Sequence, residues 1–429
     1  MILFVSPFMN NASVDLANEV KCLPQDGQRK SRSAQITIVF ILLAGICVAA
    51  GITGLWALTA IPIGFLFGFF LQKGDLCGAS AFSEVLVMRD WRKTWGLWVC
   101  IATGMSVFAI LDLLGWVTLS PKPFLWVNYL VGGILFGTGM VLSGGCISGS
   151  LYKAGVGHIN SIVALVGIPI GIGMVEYGPL SAWNAQWKTR VWKSADGGAM
   201  TLSSLTGLPF WAVAVLLVLL TLVIARFLPK QRNDFAGQKR SRFSLVGALT
   251  AKSWRPWQAG LLIGLLGGAA YVSSAASGRN YPLGVTHGVM HAQLLVTDSN
   301  LQLVYQPPKP AATPAPAPAP APSANPGKKV SLWLVFVVVG VVAGGWFSAW
   351  LAGQARLIPK PPEQVFVALL GSIIAGAGAA LATGCVIGNI LSGVALASVG
   401  MIFFTVVVVL ANWATTYFYF MGGTIGVKE

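Results

Sequence analysis

Long apolar runs separated by short polar segments dominate the hydropathy pattern of this chain. Ten of them are long enough to cross a bilayer, which takes about 20 residues in a helix. They lie at 36–58, 61–88, 95–117, 126–146, 159–177, 210–228, 257–274, 332–351, 365–382 and 397–421. The pattern predicts an all-α polytopic membrane protein with about ten crossings. The 51 glycines further predict close packing between its helices.

Polar, glycine-containing sequence interrupts two of these regions. The run at 61–88 holds Lys73, Asp75 and Cys77 near its middle, and the run ending at 274 is followed by a polar break before a short helix that carries His291. Broken backbone at membrane depth is tolerated only where it is buried in protein or lines a cavity. Both regions are therefore predicted to be broken or re-entrant helices.

A glycine and cysteine frame occurs twice, at 137–149 and at 376–388. Each frame reads Gly, one residue, Gly, five residues, Gly-Cys, two residues, Gly, so that Cys146 and Cys385 correspond. Corresponding elements lie five crossings apart, and an odd number inverts one unit relative to the other. The sequence thus predicts two inverted pseudo-symmetric repeats, whose broken segments would meet near the midplane and form the substrate path.

The same pattern predicts the organisation of the chain. We expect a cytoplasmic tail at 1–35, a first transmembrane helix at 36–58, repeat 1 at 59–178, a connecting segment with one transmembrane helix at 179–255, and repeat 2 at 256–425, interrupted by a Pro/Ala-rich linker at 307–328. With both termini in the cytoplasm, the inside loops hold 19 of the 28 Lys and Arg residues and the outside loops hold 7. Cytoplasmic loops are generally enriched in these residues, which supports the orientation.

Composition excludes several other classes of protein. Only 10% of the residues are charged, against about 25% in soluble domains. The net charge of +15 reflects the basic cytoplasmic loops and carries little information on the substrate. The six cysteines include no C-x-x-C pair, and only three histidines are present, so we predict no metal, cofactor, catalytic residue or nucleic-acid partner. A phosphate-binding G-x-x-x-x-G-K-[S/T] loop is absent from the sequence, which argues against ATP coupling within this chain.

Three cysteines are the candidate functional residues. Cys146 and Cys385 each lie where a glycine-rich helix meets a new short helix, and the backbone N–H groups of a helix start bind anions. Cysteine is also a common small buried residue, but two in matching frames favour a functional role. Cys77 lies in the first break, where pseudo-symmetry pairs it with Leu283. Cys47 and Cys100 lie in plain apolar spans and are predicted to serve packing.

Several ionisable side chains lie at or near the breaks. They are Lys73, Asp75, Glu84, Arg279 and His287. Ionisable residues at membrane depth are functional candidates. Each of them could equally form a structural ion pair or lie at the membrane interface.

The motifs Gly-Asp-Leu-Cys77-Gly-Ala, Ser-Gly-Gly-Cys146-Ile-Ser-Gly and Thr-Gly-Cys385-Val-Ile-Gly-Asn resemble the YeeE/YedE family of bacterial thiosulfate transporters. The resemblance covers about 36–300 and 330–425. It implies an hourglass-like fold of inverted repeats in the bacterial inner membrane, surrounded by lipid. It also implies a thiosulfate path past the three cysteines and, on the cytoplasmic side, a soluble sulfur-carrier (TusA-like) partner.

Thiol chemistry suits this substrate, a small dianion with a soft terminal sulfur. A free thiol has a pKa of about 8.5 and is mostly protonated at neutral pH, so that it can donate a weak hydrogen bond to that sulfur. Lysines packed against the path would hold a dianion too tightly, and passage needs several weak sites in series. The predicted substrate-binding residues are Cys77, Cys146, Cys385, Gly78, Gly145, Gly149, Gly384 and Gly388.

Other functions remain open from the sequence. A permease for selenium oxyanion, sulfite or a metal would share the broken helices. A membrane thiol or persulfide sulfur-transfer enzyme would carry covalent sulfur on Cys146 or Cys385, although the absence of a C-x-x-C pair and of a nearby general base in the sequence argues against it. The broken helices disfavour a purely structural scaffold.

Overall fold

The computed structural model describes residues 25–194, 197–227, 245–304 and 328–421, which are helical almost throughout. Contacts divide the chain into two compact units, Met1–Gly45 and Ile46–Glu429. The described part of the first unit is helical and belongs to α1 (Gln25–Thr53). All other elements described below belong to the second unit.

Long apolar helices joined by short ones build the second unit. After a 3-10 turn at Trp56–Thr59, its helices are α2 (Ala60–Gly74), α3 (Gly78–Val87), α4 (Arg92–Leu113), α5 (Trp126–Leu142), α6 (Ile147–Val156), α7 (Ile159–Glu176), α8 (Ser181–Lys188), α9 (Leu202–Thr206), α10 (Phe210–Phe227), α11 (Leu245–Thr250), α12 (Pro256–Ala276), α13 (Thr286–Thr297), α14 (Leu332–Leu351), α15 (Pro362–Leu381), α16 (Ser392–Ala395) and α17 (Val399–Thr416). Two π-helical segments, Val386–Leu391 and Tyr417–Met421, complete them.

A short parallel strand pair is the sheet found in the described residues. Strands β1 (Leu301–Val304) and β2 (Lys328–Ser331) pair with Leu301 opposite Lys328. The Pro/Ala-rich linker predicted at 307–328 lies outside the described residues, apart from Lys328, which begins β2.

Ten helical segments of the described chain are long and apolar enough to cross a membrane. The prediction of an all-α polytopic membrane protein is therefore confirmed. Three of the ten are composite: Trp56–Val87 contains α2 and α3, Trp126–Val156 contains α5 and α6, and Pro362–Ala395 contains α15, a π-helical segment and α16. A change of backbone direction thus lies within each of these three segments.

Helices from the two halves of the second unit pack against each other in matching pairs. Helix α2 packs along α14, while α12 packs along α4. Likewise α7 packs along α15, while α5 packs along α17. If the two glycine frames correspond, then α2 is equivalent to α12 and α14 to α4, so that each pairing has its counterpart.

Glycine allows this close packing of the helices. A Cβ atom on Gly64 of α2 would overlap the backbone of Val337 in α14. In the matching pair, a Cβ atom on Gly260 of α12 would overlap the backbone of Gly96 in α4. Small residues let membrane helices approach to backbone contact, which holds the breaks described next in fixed positions.

Candidate functional site

Cys77 lies in the break between α2 and α3. Asp75 follows the end of α2 and takes a left-handed conformation with φ 46°, which turns the chain. Cys77 then precedes α3 in an extended conformation, and its side chain is fully buried. The break thus places a thiol in the protein interior, next to the free N–H groups that begin a helix.

Cys146 ends the first glycine frame in a similar way. Gly144 has φ 73°, a conformation that favours glycine. Cys146 follows as the capping residue of α6, and its Sγ accepts a hydrogen bond from the Gly149 N–H at 3.4 Å. The Ser148 hydroxyl lies 3.3 Å from the same sulfur. The thiol is fully buried and held by its own helix start.

The two thiols of this half are neighbours. Cys77 Sγ and Cys146 Sγ are 3.8 Å apart, close enough for one S–H to interact with the other sulfur. Gly149 lies against both, and a Cβ atom there would collide with the Cys77 sulfur. Cys77 therefore forms one buried group with Cys146 and Gly149, although it lies 69 positions before Cys146. Cys77 and Cys146 are called the thiol pair below.

Cys385 holds the corresponding place in the second frame, with different surroundings. Thr383 has φ 58°, and the residues after Cys385 are π-helical. The Asn389 amide Nδ2 donates to the carbonyl oxygens of Ala382 at 2.8 Å and Gly384 at 3.0 Å. The Cys385 thiol is fully buried, and its sulfur makes no hydrogen bond to the described residues.

Both breaks contact the second frame. Gly78, directly after Cys77, lies against Val386, directly after Cys385, and a Cβ atom on Gly78 would be 2.7 Å from the Val386 Cγ2. From the other break, the Tyr281 hydroxyl donates to the Gly388 carbonyl oxygen at 2.6 Å. The structure therefore brings the two predicted broken segments to one region of the protein.

The glycines before the two cysteines differ in the room around them. A Cβ atom on Gly145 would make ordinary contact with the Ser150 hydroxyl at 3.5 Å. A Cβ atom on Gly384 would collide with the Asn389 amide oxygen and approach Lys122 Nζ to 3.1 Å. Packing requires glycine at position 384, whereas position 145 has space for a methyl group.

Ion pairing accounts for two of the ionisable candidates. Lys93 Nζ lies 2.6 Å from Asp75 Oδ2 and 2.5 Å from Glu84 Oε1. The Tyr152 hydroxyl donates to the other oxygen of Asp75 at 2.9 Å. These contacts tie α2, α3, α4 and α6 together beside the thiol pair.

His287 and Lys73 are also held by partners. His287 Nε2 lies 2.8 Å from Glu176 Oε1, which joins α13 to α7. Lys73 is fully buried, and its Nζ donates to the carbonyl oxygen of Ala251 at 2.7 Å. Both side chains therefore have structural roles that need no substrate.

Lys122 is the residue that sequence reasoning missed. Its Nζ donates to the Thr383 carbonyl oxygen at 2.5 Å and to Asn389 Oδ1 at 2.7 Å, so it touches the second frame directly. Burial and the nearby Arg279 lower the pKa of Lys122 to about 7, an effect that Cys385 opposes. In the sequence it is one cation of a short loop, flanked by prolines, and nothing there points to position 383 or 389.

Two further cysteines lie in helices outside the breaks. Cys100 is buried in α4, consistent with packing, whereas Cys47 is exposed on α1, so the predicted packing role does not hold for it. Within the residues that the structure describes, no group of three or more His, Cys, Asp or Glu side chains could hold a metal ion. The chemistry available around the buried cysteines includes that of thiols, backbone amides, the Asn389 carboxamide, the Tyr281 hydroxyl and the Lys122 ammonium group.

Several known proteins are similar in sequence to this chain, two of them over most of its length. A family model described as sulphur transport matches residues 73–414. The thiosulfate transporter TsuA of Spirochaeta thermophila is 30% identical, over 84% of this chain and 98% of its own. The thiosulfate transporter TsuA of Escherichia coli K12 is 26% identical, over 83% of this chain and 94% of its own. The probable transporter YedE of the same bacterium is 31% identical over 28% of this chain and 29% of its own.

The match to the family model includes α3 to α16, both glycine frames and all three buried site cysteines. These similarities indicate a transporter and not an enzyme. With ten apolar helices it is a multi-pass membrane protein. The chain belongs to the sulphur transport family, the YeeE/YedE family that its cysteine motifs resemble.

Proposed function

We propose that this protein takes up thiosulfate across the bacterial inner membrane for sulfur assimilation. The observation that carries the proposal is the meeting of the two breaks, with Cys77, Cys146 and Cys385 buried beside helix starts. Two relatives that cover most of this chain are named thiosulfate transporters. Their names support the choice of thiosulfate over other small anions.

The path would run past the Cys385 frame and then past the thiol pair. Backbone N–H groups at the helix starts would donate hydrogen bonds to the sulfonate oxygens, while neutral thiols donate weak hydrogen bonds to the terminal sulfur. Gly78, Gly145, Gly149, Gly384 and Gly388 would keep the space between these groups free of side chains. Several weak sites in series let the ion leave each one, which transport requires.

Two inverted repeats would give this path its symmetry. The matching helix pairs support that arrangement, because α2 with α14 and α12 with α4 are equivalent if the frames correspond. The hourglass-like fold follows from the same proposal. On the cytoplasmic side, a soluble TusA-like sulfur carrier would receive the ion, and lipid would surround the apolar helices.

Uptake of radiosulfur-labelled thiosulfate into proteoliposomes tests the proposal. The native chain should show saturable uptake. Replacing Cys146 by serine should lower the rate by roughly tenfold or more, because a stronger, shorter hydroxyl replaces the weak sulfur donor at 3.8 Å from Cys77. Full uptake by the Cys146→Ser variant would overturn the thiol mechanism.

Cys100→Ser is the matched control. Cys100 is also a buried membrane thiol, but it lies within the continuous helix α4 and belongs to neither break. Its replacement should leave the uptake rate within about twofold of native. Selenium oxyanions and sulfite, added as competitors, test the substrate: inhibition by either one more strongly than by unlabelled thiosulfate would reassign the transported ion.

A further inference from the structure

The thiol pair consists of two free thiols in contact, and neither belongs to a disulfide. Their sulfurs are 3.8 Å apart, whereas a disulfide bond is about 2.05 Å long. Among the five cysteines that the structure describes, no other two have sulfurs within hydrogen-bonding distance of each other. A change of rotamer moves a cysteine sulfur by more than the gap that remains, so side-chain rotation is sufficient in extent to close it.

Both members of the pair also lie where a thiolate is favoured. Cys77 directly precedes α3. Cys146 directly precedes α6, and its Sγ accepts a hydrogen bond from the Gly149 N–H at 3.4 Å. The positive end of a helix stabilises a thiolate, which is the form that attacks a disulfide sulfur. The pair therefore has the two parts of an exchange site: an attacking sulfur, and a second sulfur beside it that can displace the first product.

Burial restricts which oxidant can reach these thiols. Both side chains are fully buried, so a reactant has to arrive along the proposed path and must resemble the ion that uses it. Tetrathionate meets this condition, because it is a dianion made of two thiosulfate units joined by an S–S bond. Thiosulfate is also the anion of a strong acid, and such a group leaves rapidly in thiol–disulfide exchange.

We propose that the thiol pair is an exchange site for tetrathionate, the oxidised dimer of thiosulfate, which the pair reduces while it becomes a Cys77–Cys146 disulfide. This reaction rests on the proposed function, because the thiosulfate path is what admits the oxidant. It adds a covalent modification to a pair that otherwise only donates hydrogen bonds to a passing ion.

The exchange takes two steps. In the first, the thiolate of one cysteine attacks an inner sulfur of tetrathionate, the central S–S bond breaks, and one thiosulfate ion leaves with the electron pair of that bond. The cysteine now carries the other thiosulfate unit through a new S–S bond. In the second step, the neighbouring thiolate attacks the cysteine sulfur and releases this unit. The two thiols lose two protons and two electrons, and tetrathionate gains those electrons as it becomes two thiosulfate ions.

The second frame should stop after the first step. Cys385 is buried, and its sulfur makes no hydrogen bond to the described residues, so no second thiol is in place to release the bound unit. We therefore expect a stable thiosulfate adduct on Cys385 and a disulfide at the thiol pair. A disulfide has no S–H group, so oxidation removes both thiol donors from the path. Each pair reacts once and then stays closed to thiosulfate until a reductant restores the thiols.

The first test maps the cysteines of detergent-purified protein after treatment with tetrathionate, by mass spectrometry of unreduced peptides. The protein carries Cys22→Ser and Cys47→Ser, which removes the exposed Cys47 and a cysteine outside the described residues. We expect a Cys77–Cys146 disulfide, with two thiosulfate ions released for each one formed, and an adduct on Cys385. Adding Cys77→Ser should leave an adduct on Cys146 in place of the disulfide.

The second test measures thiosulfate uptake by proteoliposomes before and after oxidation. Tetrathionate should lower the rate by about tenfold or more, since two hydrogen-bond donors are lost, and dithiothreitol should restore it. Diamide, which joins neighbouring thiols and leaves no group on a single one, should inhibit equally. Cys100→Ser, which removes a buried thiol of the continuous helix α4, should respond as the native chain does.

Two results would overturn the exchange site. One is free thiols at both positions of the pair in folded protein after tetrathionate, whether or not diamide joins them. The other is full uptake by protein whose peptide map shows the Cys77–Cys146 disulfide. Absence of thiosulfate uptake by the untreated native chain would overturn the proposed function instead, and the peptide map would then decide the exchange by itself, since it requires no transport.

Discussion

The two glycine frames share a spacing and differ in charge. Beside the thiol pair, the cation Lys93 lies between two carboxylates, Asp75 and Glu84. Beside Cys385, two cations face neutral acceptors and aromatic rings, and no carboxylate pairs with them in the described residues. The thiol pair thus lies beside one cation and two carboxylates, while Cys385 is a single thiol beside two cations that no carboxylate of the described residues pairs with.

This difference shows what a repeated frame does and does not determine. A residue in a left-handed conformation, Gly144 or Thr383, turns the backbone in each frame, and a cysteine follows before a helix start. The neighbours that give each cysteine its chemistry come from elsewhere in the chain: Cys77 for Cys146, and Lys122 with Tyr281 for the Cys385 frame. If the two frames belong to inverted repeats, as proposed, the two halves would share a backbone pattern and still offer different chemistry to a substrate.

Replacing the last glycine of each frame by alanine should give the largest difference between the two frames. Gly149→Ala should collide with the Cys77 thiol, whereas a methyl group at Gly388 meets nothing closer than 3.9 Å. Overpacking a buried site costs about 1–3 kcal/mol. We expect a lower midpoint of thermal unfolding in detergent and little remaining uptake for Gly149→Ala, and a nearly native midpoint for Gly388→Ala. Equal midpoints would show that the two frames are packed alike.

Removal of a cation should destabilise the two frames to different extents. Lys93→Gln leaves Asp75 and Glu84 without their shared partner, which should destabilise the protein by about 1–3 kcal/mol. Lys122→Gln removes a charge that repels Arg279, so its unfolding midpoint should fall less while its uptake suffers more. Lys93→Arg, which keeps the charge, is the control for stability. A larger fall of the midpoint for Lys122→Gln than for Lys93→Gln would contradict this difference in ion pairing between the two frames.

The smallest expected effect is a pH dependence of thiosulfate uptake that arises at the Cys385 frame. The pKa of Lys122 is lowered to about 7 by burial and by Arg279, with Cys385 acting in the opposite direction. A lowered pKa means that the ammonium charge is lost as the pH rises through about 7. The half-saturation concentration for thiosulfate should therefore rise several-fold between pH 6 and pH 8.

Lys122→Arg separates this effect from other titrations. Arginine keeps its charge over that range, so the variant should show a flat profile in the same uptake assay. Arg279 stays charged, and Tyr281 has its pKa raised by burial, so neither of these neighbours titrates there. A pH dependence that persists in Lys122→Arg would place the titrating group elsewhere.

Much of the fold could be predicted from the sequence because membrane helices are long and apolar. The ten predicted runs correspond to the ten apolar helical segments, with Leu332–Leu351 matching at both ends. Cys146 and Cys385 were recognisable as candidates because the pattern Gly-Cys-x-x-Gly recurs in equal glycine frames. Such patterns involve residues close together in the chain, so the sequence alone reveals them.

Contacts between distant segments are not visible in that way. The approach of Cys77 to Cys146 depends on how α3 and α6 pack. The need for glycine at position 149 becomes clear only when the structure shows the Cys77 sulfur beside it. Lys122 escaped notice for the same reason, since its partners lie 261 and 267 positions away. The sequence identifies a charged residue, but only the folded structure shows whether a carboxylate pairs with it.

The 3.8 Å separation of the Cys77 and Cys146 sulfurs has one more consequence. Two thiols at that distance are suited to chelating soft cations such as silver or mercury, since thiolates prefer soft metals. If thiosulfate follows the proposed path past these thiols, thiophilic metals that bind there should inhibit its uptake. Cells that obtain sulfur through this protein would then become more sensitive to traces of such metals in their surroundings.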